Sequence, residues 1–390
     1  IEETITWIMH NVESPGQLSV FVVYNTPHDL PEVEARLQTL AAQDWPRQRR
    51  LRVLRVASSR SKAANLNAAL KLVEDPYVVA YDANHHPDPQ SLLLLYDMLV
   101  RSSLDYVQGS YYVRNLSHNQ CGCCPCAFPC LARIIDADFF FDWFVMKDVT
   151  RAFLGSAYFS GSNCLWRTDV LASKEFDVLA QTEDVDMAIQ QMLDGRKAEF
   201  CPDARSGELA PINFAALWKQ RLRWTIGWDE SSLKHAWAFF DPGRATFRVR
   251  FGLVWTFLVR WLLSLLATVC ASMAPLWTLT DHDSGKLLAH SSLLGLFAGA
   301  ACWLCAVLEA LARIPDRGCR DGLIQAFFVF VVASPPGFWM VFVFRLILQA
   351  VSISKLCTGA VKGWEVTARG PAKSSARGAA SAAGQPSARP

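Results

Sequence analysis

Four clusters in this chain combine residue types and spacings that can do chemistry. Asp82 and Asn84 follow directly on the apolar run at residues 77–81. Two oxygen-bearing side chains two positions apart at a strand end can grip a hard divalent cation such as Mg²⁺ or Mn²⁺, which keeps a substrate's phosphates in its shell. A polar loop capping the next helix would have the same composition. Glu183 and Asp184 stand ahead of a helical stretch at residues 185–193, with Thr182 as N-cap. Acidic residues there complement the helix dipole, and a carboxylate can also act as general base toward an attacking hydroxyl. Gln220, Arg223 and Trp224 fall at i, i+3 and i+4 and share one helix face. Arg offers a planar fork for phosphate oxygens, and Trp a flat face for a sugar ring. An amphipathic helix on a membrane surface would carry the same residues. The fourth cluster is Cys121, Cys123, Cys124 and Cys126, with Cys130 close behind. It lacks the two separated pairs of a structural zinc site. Zinc, S-acylation and an incidental loop of free thiols are the readings it allows.

The elements that must position these groups alternate. Residues 18–24 (LSVFVVY), 51–56 (LRVLRV) and 77–81 (YVVAY) are apolar runs of strand length. Between them, Val33, Leu37 and Leu40, then Leu66, Leu70 and Val73, recur at helical spacing, as do Ile1, Ile5 and Ile8 at the start. Such alternation implies an α/β domain with a mostly parallel sheet covered on both faces. Its ligand site lies beyond the carboxyl ends of the strands, at Asn25 and Asp82.

The chain of 390 residues is 52% hydrophobic and only 19% charged, below the ~25% charge of ordinary soluble domains. A membrane-associated protein is expected. A net charge of +2 argues against a nucleic-acid binder held by a dominant basic face. Residues 251–280 and 288–312 carry one charge each, and residues 323–344 none. The first two are long enough to cross a ~30 Å hydrocarbon core. The third is interrupted by Ser334-Pro335-Pro336-Gly337, which allows one kinked span or a hairpin of two short ones. Arg244, Arg248 and Arg250 before the first span, and Arg313, Arg317 and Arg320 after the second, place the N-terminal domain in the cytosol by the positive-inside rule. The expected organisation is a cytosolic domain over residues 1–240 with an interfacial helix near 216–238, a transmembrane helical region over 241–360, and a cytosolic motif with a disordered basic tail over 361–390. The chain begins with Ile1 rather than Met, so a fragment of a longer protein is expected.

In order and company, the clusters resemble the processive family 2 glycosyltransferases: cellulose, chitin and hyaluronan synthases and their relatives. The resemblance rests on Ser61-Lys62-Ala63-Ala64-Asn65-Leu66-Asn67, on YDANHHPDP at 81–89, on Val107-Gln108-Gly109 and on GSNCLWR at 161–167. It continues through Thr182-Glu183-Asp184, Glu208-Leu209-Ala210-Pro211 and QRLRW at 220–224 to GWEVTAR at 363–369. It covers nearly the whole chain.

That resemblance implies a GT-A-type α/β domain followed by transmembrane helices in the plasma membrane or Golgi. It implies inverting transfer from a UDP-sugar to a growing β-linked glycan, with Mg²⁺ or Mn²⁺ as cofactor. Asp82 and Asn84 would hold the metal. Asp184 would be the base, with Glu183 beside it. Asn25, Lys62, Gln220, Arg223 and Trp224 would bind substrate, and Gly161, Ser162 and Asn163 would form part of the acceptor-side wall. The family's first strand is expected upstream of Ile1. The third DxD position is Asn84, uncharged, so metal binding weakens unless His85, His86 or Asp88 contributes. The implied partners are the donor, the glycan acceptor and a lipid bilayer, with no nucleic acid; a homo-oligomer is left open. Alternatives are a non-processive transferase to a lipid or lipid-linked acceptor and a catalytically degenerate membrane scaffold.

Overall fold

The computed structural model describes residues 1–26, 29–116, 130–259, 305 and 319–361. Helix α1 (Glu2–Asn11) buries Ile5 and Ile8 on its apolar face. Strand β1 (Ser19–Tyr24) leads to α2 (Pro31–Ala41), which starts on the proline that helix N-termini favour. Strand β2 (Arg50–Arg55) is followed by α3 (Lys62–Leu70). The Ser61 hydroxyl caps α3 by accepting from the Ala64 amide at 3.2 Å. Next come β3 (Tyr77–Ala80), β4 (His86–Pro87), α4 (Ser91–Arg101) and β5 (Tyr106–Val113).

Helix α5 (Cys130–Phe141) continues through a π-helical turn at Asp142–Met146 into α6 (Lys147–Leu154). Strand β6 (Cys164–Arg167), α7 (Thr168–Leu171), α8 (Glu183–Leu193), β7 (Ala198–Glu208) and the long α9 (Phe214–Phe240) complete the domain.

β1 and β2 run parallel. The larger sheet has the order β3-β6-β5-β7-β4. In it β5 and β7 are parallel, while β6 is antiparallel to both neighbours and β4 to β7. All residues of β1 and of β3 line one cavity of about 1700 Å³. Side chains alternate faces along a strand, so both strands present an edge to that cavity rather than a face. Beneath the sheet Trp166 and Tyr106 are fully buried and stack with ring centroids 3.9 Å apart. Burying a side chain of this size contributes about 1.5–3 kcal/mol.

Past α9 come α10 (Phe247–Leu253), α11 (Cys319–Ala333) and α12 (Pro335–Cys357). Among the described residues no helix is long and apolar enough to cross a membrane. The transmembrane region expected over 241–360 therefore has no support there, and most of its first two spans lies outside the described residues. The third stretch is divided into two helices at Ser334. Ser334 ends α11 and caps α12, its hydroxyl accepting from the Gly337 amide at 3.3 Å, with Pro335 as the first helical residue. Helix α12 then runs beyond Phe344 and lays polar groups on the domain. Arg345 pairs with Asp138 of α5 at 3.0 Å, and Gln349 and Ser352 donate to Asp229 of α9, each at 2.6 Å. The cysteines at 121–126 and the motif at 363–369 lie outside the described residues.

Candidate active site

The loops at the carboxyl ends of β1 and β3, the start of α8 and one face of α9 converge on the same cavity. Asn25, Lys62, Asp82, Asn84, Gly161, Glu183, Asp184, Arg223 and Trp224 all line it. Lys62, in the first turn of α3, is the hub. Its Nζ lies 2.5 Å from Asp82 Oδ1 and 3.4 Å from Glu183 Oε1, and it donates to the Gly161 carbonyl at 2.8 Å. Burial opposes its charge, but Asp82, Glu183 and Asp184 outweigh burial and hold the ammonium above the ordinary lysine range.

Asp184 shows the opposite balance. Burial first, and then the adjacent Glu183, raise its carboxyl to about 6, against the pull of Lys62, the Val185 amide and Arg223. An acid of that strength is ionised at neutral pH yet basic enough to accept a proton usefully. Transfer is expected to rise with pH along an acid limb near 6, because protonated Asp184 cannot take a second proton. Initial rates across the range check this, and a rate unchanged down to about pH 5 would remove Asp184 as the base.

Gly161 makes room for that carboxylate. Its φ is +84°, and a Cβ there would sit 2.7 Å from Asp184 Oδ2 and 3.4 Å from Lys62 Nζ. The two residues after it turn inward. Ser162 and Asn163 are fully buried and do not line the cavity. The Ser162 hydroxyl accepts from the Asp82 amide at 3.1 Å, which fixes the end of β3. Asn163 donates its amide to the Ser110 and Ala204 carbonyls at 3.1 and 2.8 Å and so staples β5 to β7.

On α9, Arg223 donates to the Gln181 carbonyl at 3.0 Å, just before Thr182-Glu183-Asp184. Thr182 occupies the N-cap position of α8, but its side chain makes no cap hydrogen bond. It packs instead on Gly227, whose absent side chain lets the two segments meet. Trp224 lies under the Arg221 guanidinium at 4.6 Å, and Arg221 is held by Asp138 at 2.8 Å. Gln220 is 1% exposed, lies off the cavity, and neither of its amide atoms has a partner among the described residues.

Asp82 and Asn84 together offer oxygen donors to the cavity, and Asp82 is about a third exposed. A hard divalent ion needs one or two such protein ligands when water and phosphate complete its shell, so the pair fits one. Among the described residues no third protein donor adds to it. His85 is buried between the Ser206 hydroxyl and Glu208, each at 3.1 Å. His86 stacks on Trp7, and burial together with Arg114 pushes its imidazole down to about 4. Asp88 pairs with Arg205 at 3.0 Å and accepts from the Tyr112 hydroxyl at 2.8 Å. Among the described residues no group of three His, Cys, Asp or Glu could hold a metal.

Sequence reasoning missed Lys147, Tyr158, Ser160 and Trp228, which line the same cavity. Trp228 stood one helical turn beyond Trp224 and was there to be read. Lys147 carried no local signal.

Carboxylates, cations and tryptophans that converge at the strand ends of an α/β domain suit a glycosyltransferase. Residues 1–227 match the family described as Glycosyltransferase like family 2, and the chain belongs to it. Glucomannan 4-beta-mannosyltransferase 7 of Arabidopsis thaliana is 29% identical over 156 residues, which is 39% of this chain and 26% of that relative. Probable glucomannan 4-beta-mannosyltransferase 14 of the same plant is 27% identical over 173 residues, 43% of this chain and 30% of that one. The match thus spans between a quarter and a third of those relatives. Among solved structures, mannosyltransferase PcManGT from Pyrobaculum calidifontis, in complex with GDP-Man and Mn²⁺, is similar at a TM-score of 0.45 and 17% identity, covering 87% of this chain and 93% of that one. S. aureus TarS 1-349 is similar at a TM-score of 0.40 and 10% identity, covering 92% and 87%.

Proposed function

We propose that this glycosyltransferase inverts configuration as it moves a hexosyl group from a nucleoside diphosphate sugar to a hydroxyl of a β-linked glycan. The observation that carries the proposal is the Asp184 carboxylate, raised in pKa and seated against Gly161, in a cavity shared with Asp82, Asn84, Arg223, Trp224 and Trp228. Asp184 takes the proton of the acceptor hydroxyl as its oxygen bonds to the anomeric carbon. The bond from that carbon to the diphosphate breaks, and the electron pair leaves with the phosphate. Trp224 and Trp228 offer apolar faces for the sugar rings that must be held in line. Asp82 and Asn84 would hold a Mg²⁺ or Mn²⁺ ion, which supplies charge neutralisation for the diphosphate when bound. The sequence favours a UDP-sugar. The names of the relatives favour a mannosyl group and a glucomannan-like β-1,4-linked acceptor.

A lipid bilayer remains part of this reading. Trp237 is 88% and Phe247 75% exposed, close to Arg244, Arg248 and Arg250. Exposed aromatics with arginine suit the surface of an anionic membrane, with the cavity on the cytosolic side.

Release of nucleoside diphosphate from a panel of UDP- and GDP-linked sugars tests the proposal, with Mn²⁺, Mg²⁺ or chelator, on protein in nanodiscs. Metal-dependent release from one sugar, retained as β-linked product, is expected. Silence across the panel from folded protein overturns the proposal in favour of a scaffold.

A further inference from the structure

Lys147, the first residue of α6, is 5% exposed, yet it lines the cavity. Its Nζ donates to the Ser160 hydroxyl at 2.5 Å and lies 3.2 Å from the centre of the Tyr158 ring and 4.6 Å from that of Trp143. Two ring faces attract an ammonium, but they do not neutralise it. Among the described residues no carboxylate forms an ion pair with Lys147, whereas Lys62 has two. A buried cation without a counter-ion is costly, so this position stores a preference for an anion.

The neighbouring contacts say where that anion would sit. The Ser160-Gly161-Ser162 segment gathers two ammonium groups and the end of β3. Ser160 holds Lys147, the Gly161 carbonyl holds Lys62, and the Ser162 hydroxyl holds the Asp82 amide. Ser160 and Gly161 are consecutive, about 3.8 Å apart at Cα, and the Lys62 Nζ held by Gly161 lies 2.5 Å from Asp82 Oδ1, so Lys147 and the metal-site carboxylate lie within reach of one diphosphate. If the function is as proposed, a neutral glycan brings no charge, and the donor's diphosphate is the anion that enters. We propose that Lys147 is a binding residue for the diphosphate of the nucleotide-sugar donor, a second cationic contact beside Arg223.

The electrostatics of Lys147 agree. Burial lowers its ammonium to about 7, against the carboxylates of Asp142 and Asp184 and the Cys164 thiol, which are the titratable groups that face it. Near pH 8 the free site therefore holds mostly amine, and an arriving diphosphate draws in a proton.

Titration calorimetry of the full chain in nanodiscs with UDP and with GDP, each with Mg²⁺, tests this against Lys147→Met. The variant is expected to bind the diphosphate about 10- to 100-fold more weakly and the free nucleoside as wild type does. Wild type takes up a proton on binding near pH 8, read from two buffers of different ionisation heat, and the variant does not. Amine acylation of wild-type Lys147, mapped by mass spectrometry, is expected to be blocked by the diphosphate and not by the nucleoside. This arm needs no variant to fold.

Diphosphate affinity within about twofold of wild type, with unprotected Lys147, overturns the inference while turnover of a nucleotide sugar leaves the proposed function standing. A loss confined to an acidic oligosaccharide acceptor also overturns it, since the anion would then belong to the acceptor. Wild type that neither binds a nucleoside diphosphate nor turns over a nucleotide sugar overturns both.

Discussion

Asp184→Asn is expected to lower transfer by at least about 10²- to 10⁴-fold, the usual contribution of a positioned general base, while donor binding survives. The amide matches the carboxylate in shape, so the space against Gly161 stays filled, and Lys62 keeps Asp82 and Glu183. The thermal midpoint near pH 8 should not fall. The Asp184 carboxyl is raised from an ordinary 3.8 to about 6, so the folded protein holds this proton more tightly than the unfolded chain does. That preference stabilises fully below the unfolded value and is lost as pH rises through the folded one. Above it, wild type carries a buried charge that Asn does not. Loss of rate with unchanged donor affinity and an equal or higher midpoint separates the removal of a base from damage to the fold. Transfer near the wild-type rate would end the assignment.

Much of this site was legible because its parts sit at element boundaries. Asn25 follows β1, Asp82 follows β3, and Glu183 and Asp184 open α8, so periodicity alone located the places where polar side chains meet a cavity. That Lys62 reaches Asp82 and Glu183 together was not legible from spacing. It depends on α3 and α8 meeting at Gly161, between segments about 100 positions apart.

The positions next to the motifs were the least readable. Gly161 and Asn163 both have positive φ, and this turn sends Ser162 and Asn163 into the sheet while Gly161 faces the cavity. His85 and Asp88 find their partners on β7, some 120 positions on, and nothing local announces that. Hydropathy likewise marks residues 323–344 as apolar and gives no sign that Arg345, Gln349 and Ser352, just beyond them, pair with Asp138 on α5 and Asp229 on α9. Lys147 was silent for the same reason: its aromatic cage comes from the turn before α6 and the loop before β6.

Gly227→Ala is expected to cost both stability and activity, against the usual rule. In a helix interior Ala is better than Gly by about 1 kcal/mol, and Gly227 lies in the middle of α9. Here a Cβ would meet the Thr182 Oγ1, and would stand 2.5 Å from its Cγ2 and 2.8 Å from its Cβ. Thr182 is only 4% exposed, so it cannot swing into solvent. Relief must come from moving α9 or the Thr182-Glu183-Asp184 segment, and Arg223 ties the two together one turn away. Overpacking of this kind costs about 1–3 kcal/mol, which outweighs the gain in helix propensity. The segment that yields carries the base, and displacement by about 1 Å can cost on the order of 10²-fold in rate. Thermal unfolding and initial rates of Gly227→Ala are the measurements, with Gly227→Ala/Thr182→Ala completing the cycle. Removing Oγ1 and Cγ2 should return part of both losses, as a coupling energy between two residues in contact. A Gly227→Ala protein that is more stable than wild type and equally active would mean that α9 does not set the position of Asp184.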